Sequence, residues 1–522
     1  MRIATLTLAA AVFAVASAAP LEKRAAGNNV VVGYFTPWSG VAPEAVDMTK
    51  YTHINYGFGV LAKRNPKPTD VFIDRYYDGN KIRTLVKRGN EAGVKILISI
   101  GGWTGSQTFS EVSADPALRK TFINNAMVFV RNNTLPEYET NPDGWNMHGI
   151  DIDWEYPNRA GAACNTFAPQ DTANYLILLK ELRAQMDLEF PNDRKLLTAA
   201  VRVQPFDGPD GKPLGDVSAF AQYYDWISIM AYDIMGGWSP NTGPNAPFKN
   251  GPSGLADPFS FVQSIDAWKN AKFPVNKLVM GTAFYGRSVT TTVNMNNQNP
   301  ITMYVNKTNV TPKGGPSDTN DINFFCNEGS VYSGMWKWRE IRGSILTANP
   351  TTPVSGWSRY WDETTQTPWL YRASDNTFIS YDDIQSLTVK VNYAKNAGVK
   401  GVMLWDIAYD HNAELINVLQ NIHCTTNCPV VTTTSAPVRT TTVAATSTST
   451  GVVTRTSSTA PTTTSGTGPC AGVAAWNSAT VYANPGTKVT YSGRLFTNKW
   501  WTQNETPSAT NPDGVWKDGG AC

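Results

Sequence analysis

Apolar positions between Asn29 and His423 gather into short runs, and the stretches between them often carry helical spacing. Eight runs have strand length: VVVGYF (30–35), HINYGFG (53–59), KILISIGG (95–102), GIDIDWEY (149–156), LLTAAV (196–201), WISIMAYD (226–233), LVMGTAFYG (278–286) and GVMLWDI (401–407). Helix-like stretches such as DTANYLILLKELRAQM and VKVNYAKNAG precede several of them. Eight strand–helix repeats over about 400 residues predict an α/β fold, the (β/α)8 TIM barrel. A doubly wound open sheet uses the same elements, but no glycine-rich dinucleotide turn follows the first run. The gap from 286 to 401 exceeds what one helix needs, and it holds the strand-like pieces TPWLYRA and TFISYDD. A small α+β domain inserted between strands 7 and 8, at about 288–380, accounts for it. Barrel function gathers where strands end. Gly102, Glu155, Asp233, Tyr285 and Trp405 fall at or near such ends.

The fourth run and its flanks read NMHGIDIDWEYPN, residues 146–158. Ile150, Ile152, Trp154 and Tyr156 alternate with Asp151, Asp153 and Glu155, so the three acids share one strand face. On an exposed edge strand this would be a solvated face and mean little. In a barrel strand whose apolar face packs on helices, the acids point into a largely dry interior. Burying ionised carboxylates costs several kcal/mol each, by rough estimate, unless they are paired or protonated. Closely spaced like charges push at least one pKa upward and leave a proton near neutral pH, which makes a general acid. The pattern therefore points to proton-transfer chemistry. His148 stands at the strand entrance.

Composition adds 17 Trp and 21 Tyr, and flat aromatic faces suit both cores and sugar rings. A net charge of +2 gives no electrostatic reason to expect nucleic acid or an acidic membrane surface. Residues 1–18 combine Arg2, an apolar run from Ile3 to Ala16 and the small-residue exit Ala16-Ser17-Ala18, the pattern of a secretory signal peptide. A short segment, 19–28, follows with a dibasic Lys23-Arg24. Residues 29–423 form the barrel region, and 429–469 are nearly all Thr, Ser, Pro, Val and Ala, an extended linker suited to O-glycosylation. The chain is thus expected to be secreted. Six cysteines fit an oxidising compartment but allow fifteen pairings; Cys470 and Cys522, which bracket the last segment, are the pair expected first. With four histidines and no zinc-site spacing, neither metal nor cofactor is expected.

GIDIDWEYP resembles the signature of glycoside hydrolase family 18, the chitinases, written DxxDxDxE. ISIGGW (98–103) is similar to that family's SxGG strand, MAYD (230–233) to its sixth-strand motif and FYGR (284–287) to its seventh, while GVMLWDI carries the Trp expected at the end of the eighth. The resemblance implies that Glu155 protonates the leaving glycosidic oxygen and later acts as base for water. No second carboxylate attacks; the substrate's own N-acetyl carbonyl does, with retention, as the family's exceptional mechanism requires. Asp153 would hold the acetamido N–H, Asp151 would share a proton with Asp153, and Tyr232 would donate to the acetamido oxygen. Asp233 would contact substrate, and Met230 and Trp405 would line the site, with Trp405 as the floor under the distorted sugar; for these last two, plain core packing is the competing reading. Tyr34, Phe58, Gly102, Trp103, Trp238, Tyr285 and Arg287 match cleft-lining positions. The family pattern has Asp where this chain has His148. A tolerated polar replacement is the simpler account, and an imidazole that alters proton sharing with Asp151 is the sharper one. The inserted domain would deepen the cleft, which in that family favours processive or exo-type action.

Residues 470–522 are too few for much of a core and need a staple. Trp476, Tyr482, Tyr491, Phe496, Trp500, Trp501 and Trp516 are too many aromatics for so small a unit to bury. The segment resembles the small chitin-binding β modules of carbohydrate-binding families 5 and 12, which share its WWT and GVW features. Trp476, Trp500 and Trp501 are its candidate sugar contacts; adjacent Trp500 and Trp501 cannot share a strand face, so one packs and one stacks on sugar. The implied partners are chitin and N-acetylglucosamine oligomers, met by a monomer without nucleic acid or membrane. An endo-β-N-acetylglucosaminidase, a non-catalytic lectin and a toxin-like chitin binder are the rival readings. The lectin typically loses the residue at Glu155, which this chain keeps. Asn132, Asn306, Asn309 and Asn504 stand in glycosylation sequons.

Overall fold

The eight apolar runs form eight parallel strands closed into a barrel in the computed structural model. They are Val30–Phe35, His53–Gly59, Lys95–Gly101, Gly149–Asp153, Leu196–Val201, Trp226–Ile229, Leu278–Ala283 and Gly401–Trp405. The structure describes residues 29–73, 75–132, 145–320, 326, 331–424, 470, 472–478, 480–482, 486–499, 502–503, 506–509 and 515–522. The signal-peptide and dibasic segments (1–28), the linker (429–469), Cys428, Trp500, Trp501 and Asn504 lie outside them.

Each strand pairs with its neighbour in sequence, and the first closes on the eighth from Val30↔Gly401 to Gly33↔Leu404. A parallel strand covered on both faces can carry a continuous apolar run, and all five residues from Gly149 to Asp153 are buried. One face packs outward, where Ile150 and Ile152 meet helix residues such as Leu178 and Leu182. The other face fills the barrel. There Val30, Val32, Tyr34, Trp226, Val279 and Met403 form a separate inner cluster, topped by Phe58, Met230, Tyr232 and Trp405.

Long helices cover the barrel at Arg75–Ala92, Asp171–Glu189 and Ile384–Ala397. The last starts where Asp383 accepts from the N–H groups of Gln385 and Ser386, and it ends at Gly398 in the left-handed region. The alternation is not regular. Only 3-10 turns follow the first strand, at Pro37–Ser39, Pro43–Ala45 and Met48–Lys50, and only Phe220–Gln222 lies between the fifth and sixth. Proline and glycine in GVAPEA and DGPDGKPLG remove helix donors and add backbone freedom there.

The inserted domain is a five-stranded antiparallel sheet, in the order Trp357–Asp362, Thr367–Arg372, Thr377–Ser380, Tyr285–Thr290 and Met335–Lys337. Helix Trp338–Ser344 accompanies it. The sheet starts at Tyr285 rather than 288, because the seventh run serves two sheets. Phe284 is the joint: its N–H donates to the Trp405 carbonyl at 3.0 Å and its carbonyl accepts from Trp338 at 2.8 Å.

Residues 438–522 cluster as a unit of their own. Its described core holds Tyr482, Val489, Phe496, Val515 and Trp516, under a sheet of Lys488–Tyr491, Arg494–Asn498 and Trp516–Ala521. Cys470 and Cys522 are bonded as expected. Cys164 pairs with Cys326, and Cys424 is also disulfide-bonded. Among the described residues no helix is long and apolar enough to cross a membrane.

Candidate active site

The fourth strand carries its acids at different heights. Register places Ser99 and Thr198 directly beside Asp151. Their hydroxyls donate to it at 2.8 and 2.6 Å, and Tyr34 donates from the first strand at 2.7 Å. Burial pushes the Asp151 carboxyl up, and these donors pull it back toward the charged form. Asp153 has no such cradle. Its Oδ1 is buried without a hydrogen-bond partner among the described residues, and burial, then the charges of Glu155 and Asp151, hold its pKa well above the carboxylate range. The pair therefore shares protons unequally: the charge sits better on Asp151, and the proton is held better by Asp153.

Glu155 stands two residues past the end of the strand, yet it is buried. Burial raises its carboxyl to about 7; the Tyr156 hydroxyl opposes that rise and the Asp233 charge adds to it. Such a group is poised for proton transfer in either direction near neutral pH.

The sixth strand ends at Ile229, so Met230, Tyr232 and Asp233 lie on the segment beyond it. Met230 and Tyr232 do face the barrel interior together. Burial, then the Asp153 charge, keeps the Tyr232 hydroxyl protonated and able to donate. Asp233 adopts φ 55°, with its N–H held by the Asn245 side chain at 3.2 Å. It receives a two-pronged bond from Arg287 at 2.8 and 2.9 Å. Arg287 and Tyr285 belong to the inserted sheet, so that domain supplies one wall of the site. Tyr285 is buried beside Tyr232, ring centres 6.1 Å apart.

On the neighbouring eighth strand, Trp405 stacks on Phe58 with ring centres 5.7 Å apart and meets Tyr34 at 5.5 Å. Gly102, at φ +84°, lies so close to the Phe58 ring that a Cβ would stand 2.8 Å from it. Trp103 and Trp238 are 50% and 57% exposed, too open to be core residues. The sequence-predicted residues of the barrel thus converge on one mouth. In the terminal unit, Trp476 is half-buried and packs edge-on against Tyr491 at 5.3 Å.

Several residues of the site escaped sequence reasoning. Ser99 and Thr198 were legible as polar positions inside apolar runs, on the parity that faces the barrel. Trp38, 63% exposed just after the first strand, obeys the same strand-end rule. Asp406 gave no signal: it is fully buried, accepts from the hydroxyls of Thr36 and Ser39, and is pushed up to about 6 by burial. His148 is held by the neighbouring strand instead. Its Nδ1 accepts from the Ile96 N–H at 3.0 Å, and burial, then Lys95 and Lys195, push its pKa down to about 4. None of Asp151, Asp153 and Glu155 is among the groups acting on it. Among the described residues no cluster of three His, Cys, Asp or Glu is placed to hold a metal.

A closed parallel barrel with three buried acids at its mouth is the arrangement of a hydrolase. The family pattern of glycosyl hydrolases family 18 matches residues 30–410, and the chain belongs to that family. Residues 475–517 match carbohydrate-binding module family 5/12. More particularly, the chain is similar to a chitinase-like effector of Moniliophthora roreri, 30% identical over 405 residues, covering 76% of this chain and 93% of that protein. Chitinase A1 of Niallia circulans is 29% identical over 455 residues, covering 77% of this chain and 59% of that longer protein. Among solved structures, the chitinase RmChi1 of Rhizomucor miehei superposes with TM-score 0.66 at 32% identity, over 76% of this chain and all of that one. A variant of the class V chitinase of Nicotiana tobaccum, solved with NAG4, gives 0.60 at 27%, over 76% and 99%.

Proposed function

We propose that this chain is a secreted chitinase that cleaves β-1,4 bonds between N-acetylglucosamine units with retention, Glu155 serving as acid and then base. The observation that carries this reading is the unequal treatment of three buried acids, two on the fourth strand and one just past its end. Asp151 is fixed by three hydroxyls and Asp153 keeps an unpartnered buried oxygen, while Glu155 is held near 7 at the open end. Protonated Glu155 gives its proton to the leaving glycosidic oxygen. The acetamido carbonyl oxygen of the same sugar attacks the anomeric carbon, and Asp153 takes the acetamido N–H on its free oxygen. Tyr232 donates to the acetamido oxygen and holds it in line. As positive charge grows on the ring, Asp153 passes its proton toward Asp151 and stabilises that charge. Glu155, now ionised, removes a proton from water, which opens the intermediate from the same face.

Trp405 under the sugar and the open faces of Trp38, Trp103 and Trp238 suit the apolar faces of a neutral polysaccharide. The carbohydrate-binding module and the chitin-active relatives support chitin as the polymer. Two disulfides, Cys164–Cys326 and Cys470–Cys522, support an oxidising compartment, in keeping with the leader-like start of the chain.

Turnover of N-acetylglucosamine oligomers by the wild type and by Glu155→Gln tests the reading. The variant should lose about 10²–10⁴-fold in kcat while still binding the oligomers, and NMR should show the β-anomer as first product. Absence of turnover in both proteins would instead make this a chitin-binding barrel.

A further inference from the structure

The fourth strand ends at Asp153, so the main chain of Glu155 has no ladder partner to fix it. Its two peptide groups are satisfied by side chains instead. The Glu155 N–H donates to Ser106 Oγ at 3.2 Å, and that hydroxyl reaches the Asp153 carbonyl at 2.9 Å. On the other side, Asn165 Nδ2 donates to the Glu155 carbonyl at 2.9 Å and to the Trp103 carbonyl at 2.8 Å. One amide group thus ties the acid to the exposed Trp103 from the third-strand loop. The loop bearing Asn165 lies directly on the acid: a Cβ at Gly161 would stand 2.0 Å from the Glu155 carbonyl oxygen. That loop is itself fastened. Cys164, the residue before Asn165, is bonded to Cys326, which lies between the Tyr285–Thr290 and Met335–Lys337 strands of the inserted sheet.

We propose that Asn165 is a positioning residue for the reaction, holding the Glu155 main chain through a loop that Cys164–Cys326 fixes to the inserted domain. The inserted domain then acts on both sides of the cleft. It supplies Arg287 and Tyr285 as one wall, and through the disulfide it steadies the seat of the acid on the other. This role rests on the reading of Glu155 as acid and base.

Kinetics on the N-acetylglucosamine tetramer test it with the full chain. Asn165→Ala should lower kcat about 10- to 100-fold, the cost of misplacing a catalytic group by roughly 1 Å. KM should change by less than about threefold, because the sugar contacts other than Trp103 keep their own support. The basic limb of its pH–rate profile should move as well, since a loosened Glu155 samples more water; a purely structural loss of folded enzyme would scale the profile without moving it. Asn165→Gln, which keeps the amide, should recover part of the rate, and Cys164→Ser/Cys326→Ser should show a smaller fall in kcat at unchanged KM. Wild-type kcat in Asn165→Ala overturns the proposal, as does a loss expressed only in KM. If Asn165→Ala fails to fold, the double cysteine variant decides, and an unchanged kcat there overturns the coupling. Glu155→Gln measured in parallel separates the two readings. If it stays active, the acid/base assignment falls and this role with it; if it is dead while Asn165→Ala is normal, only the positioning role falls.

Discussion

Asp151, Asp153 and Glu155 are chemically alike, and their differences come from what surrounds each carboxyl. Three hydroxyl donors favour the charge on Asp151, whereas Glu155 meets burial and only the Tyr156 hydroxyl against it. The pH dependence follows. Glu155 must be protonated for the first step, and its pKa is raised to about 7, so kcat/KM should fall as pH rises through about 7. A pH–rate profile on soluble oligomers checks this, and a basic limb far above that value would contradict the assignment. His148 belongs to the opposite end of the strand and is neutral above about 4. His148→Asp should therefore leave the profile unchanged across the neutral range, which favours the tolerated replacement over the imidazole that tunes Asp151.

At the scale of elements, the eight strands were legible because each is a local apolar run, while their ends were not. The fourth, sixth and seventh runs overshoot the true strands at Glu155, Asp233 and Tyr285, all residues of the site. Alternating side chains continue past the last ladder bond, and periodicity alone cannot register that the partner strand has ended. The third strand shows how tightly the mouth is built. Gly102 needs both its left-handed backbone and its missing Cβ, since Phe58 lies against it and Trp405 stacks on Phe58. Gly102→Ala should cost about 1–3 kcal/mol of stability through backbone strain alone. Displacement of Phe58 and Trp405 should also raise KM for oligomers about tenfold, by loss of uniform binding. Thermal melting and steady-state kinetics on the purified variant read both effects.

For the molecule as a whole, the module should matter only where the substrate is a solid. A module held by a long linker raises the local concentration of the barrel at a polymer surface. A chain shortened to end at 423 should keep its kcat on soluble oligomers and lose about tenfold or more on insoluble chitin. Equal losses on both substrates would mean that the module supports the barrel itself rather than its delivery.

The sequence by itself determined the order of the eight strands, the row of three acids, the inserted domain and the separate cysteine-bracketed module. These are properties of neighbouring residues, and period, composition and spacing record them directly. The tertiary structure decided what surrounds each of those acids. Ser99 and Tyr34 meet Asp151 across 52 and 117 residues of chain, and Asp406 meets Thr36 across 370. Asn165 lies only ten residues beyond Glu155, yet its role depends on a disulfide to a domain 162 residues away. Barrel closure makes such pairs neighbours, and closure depends on strand register and loop path, which no local pattern carries.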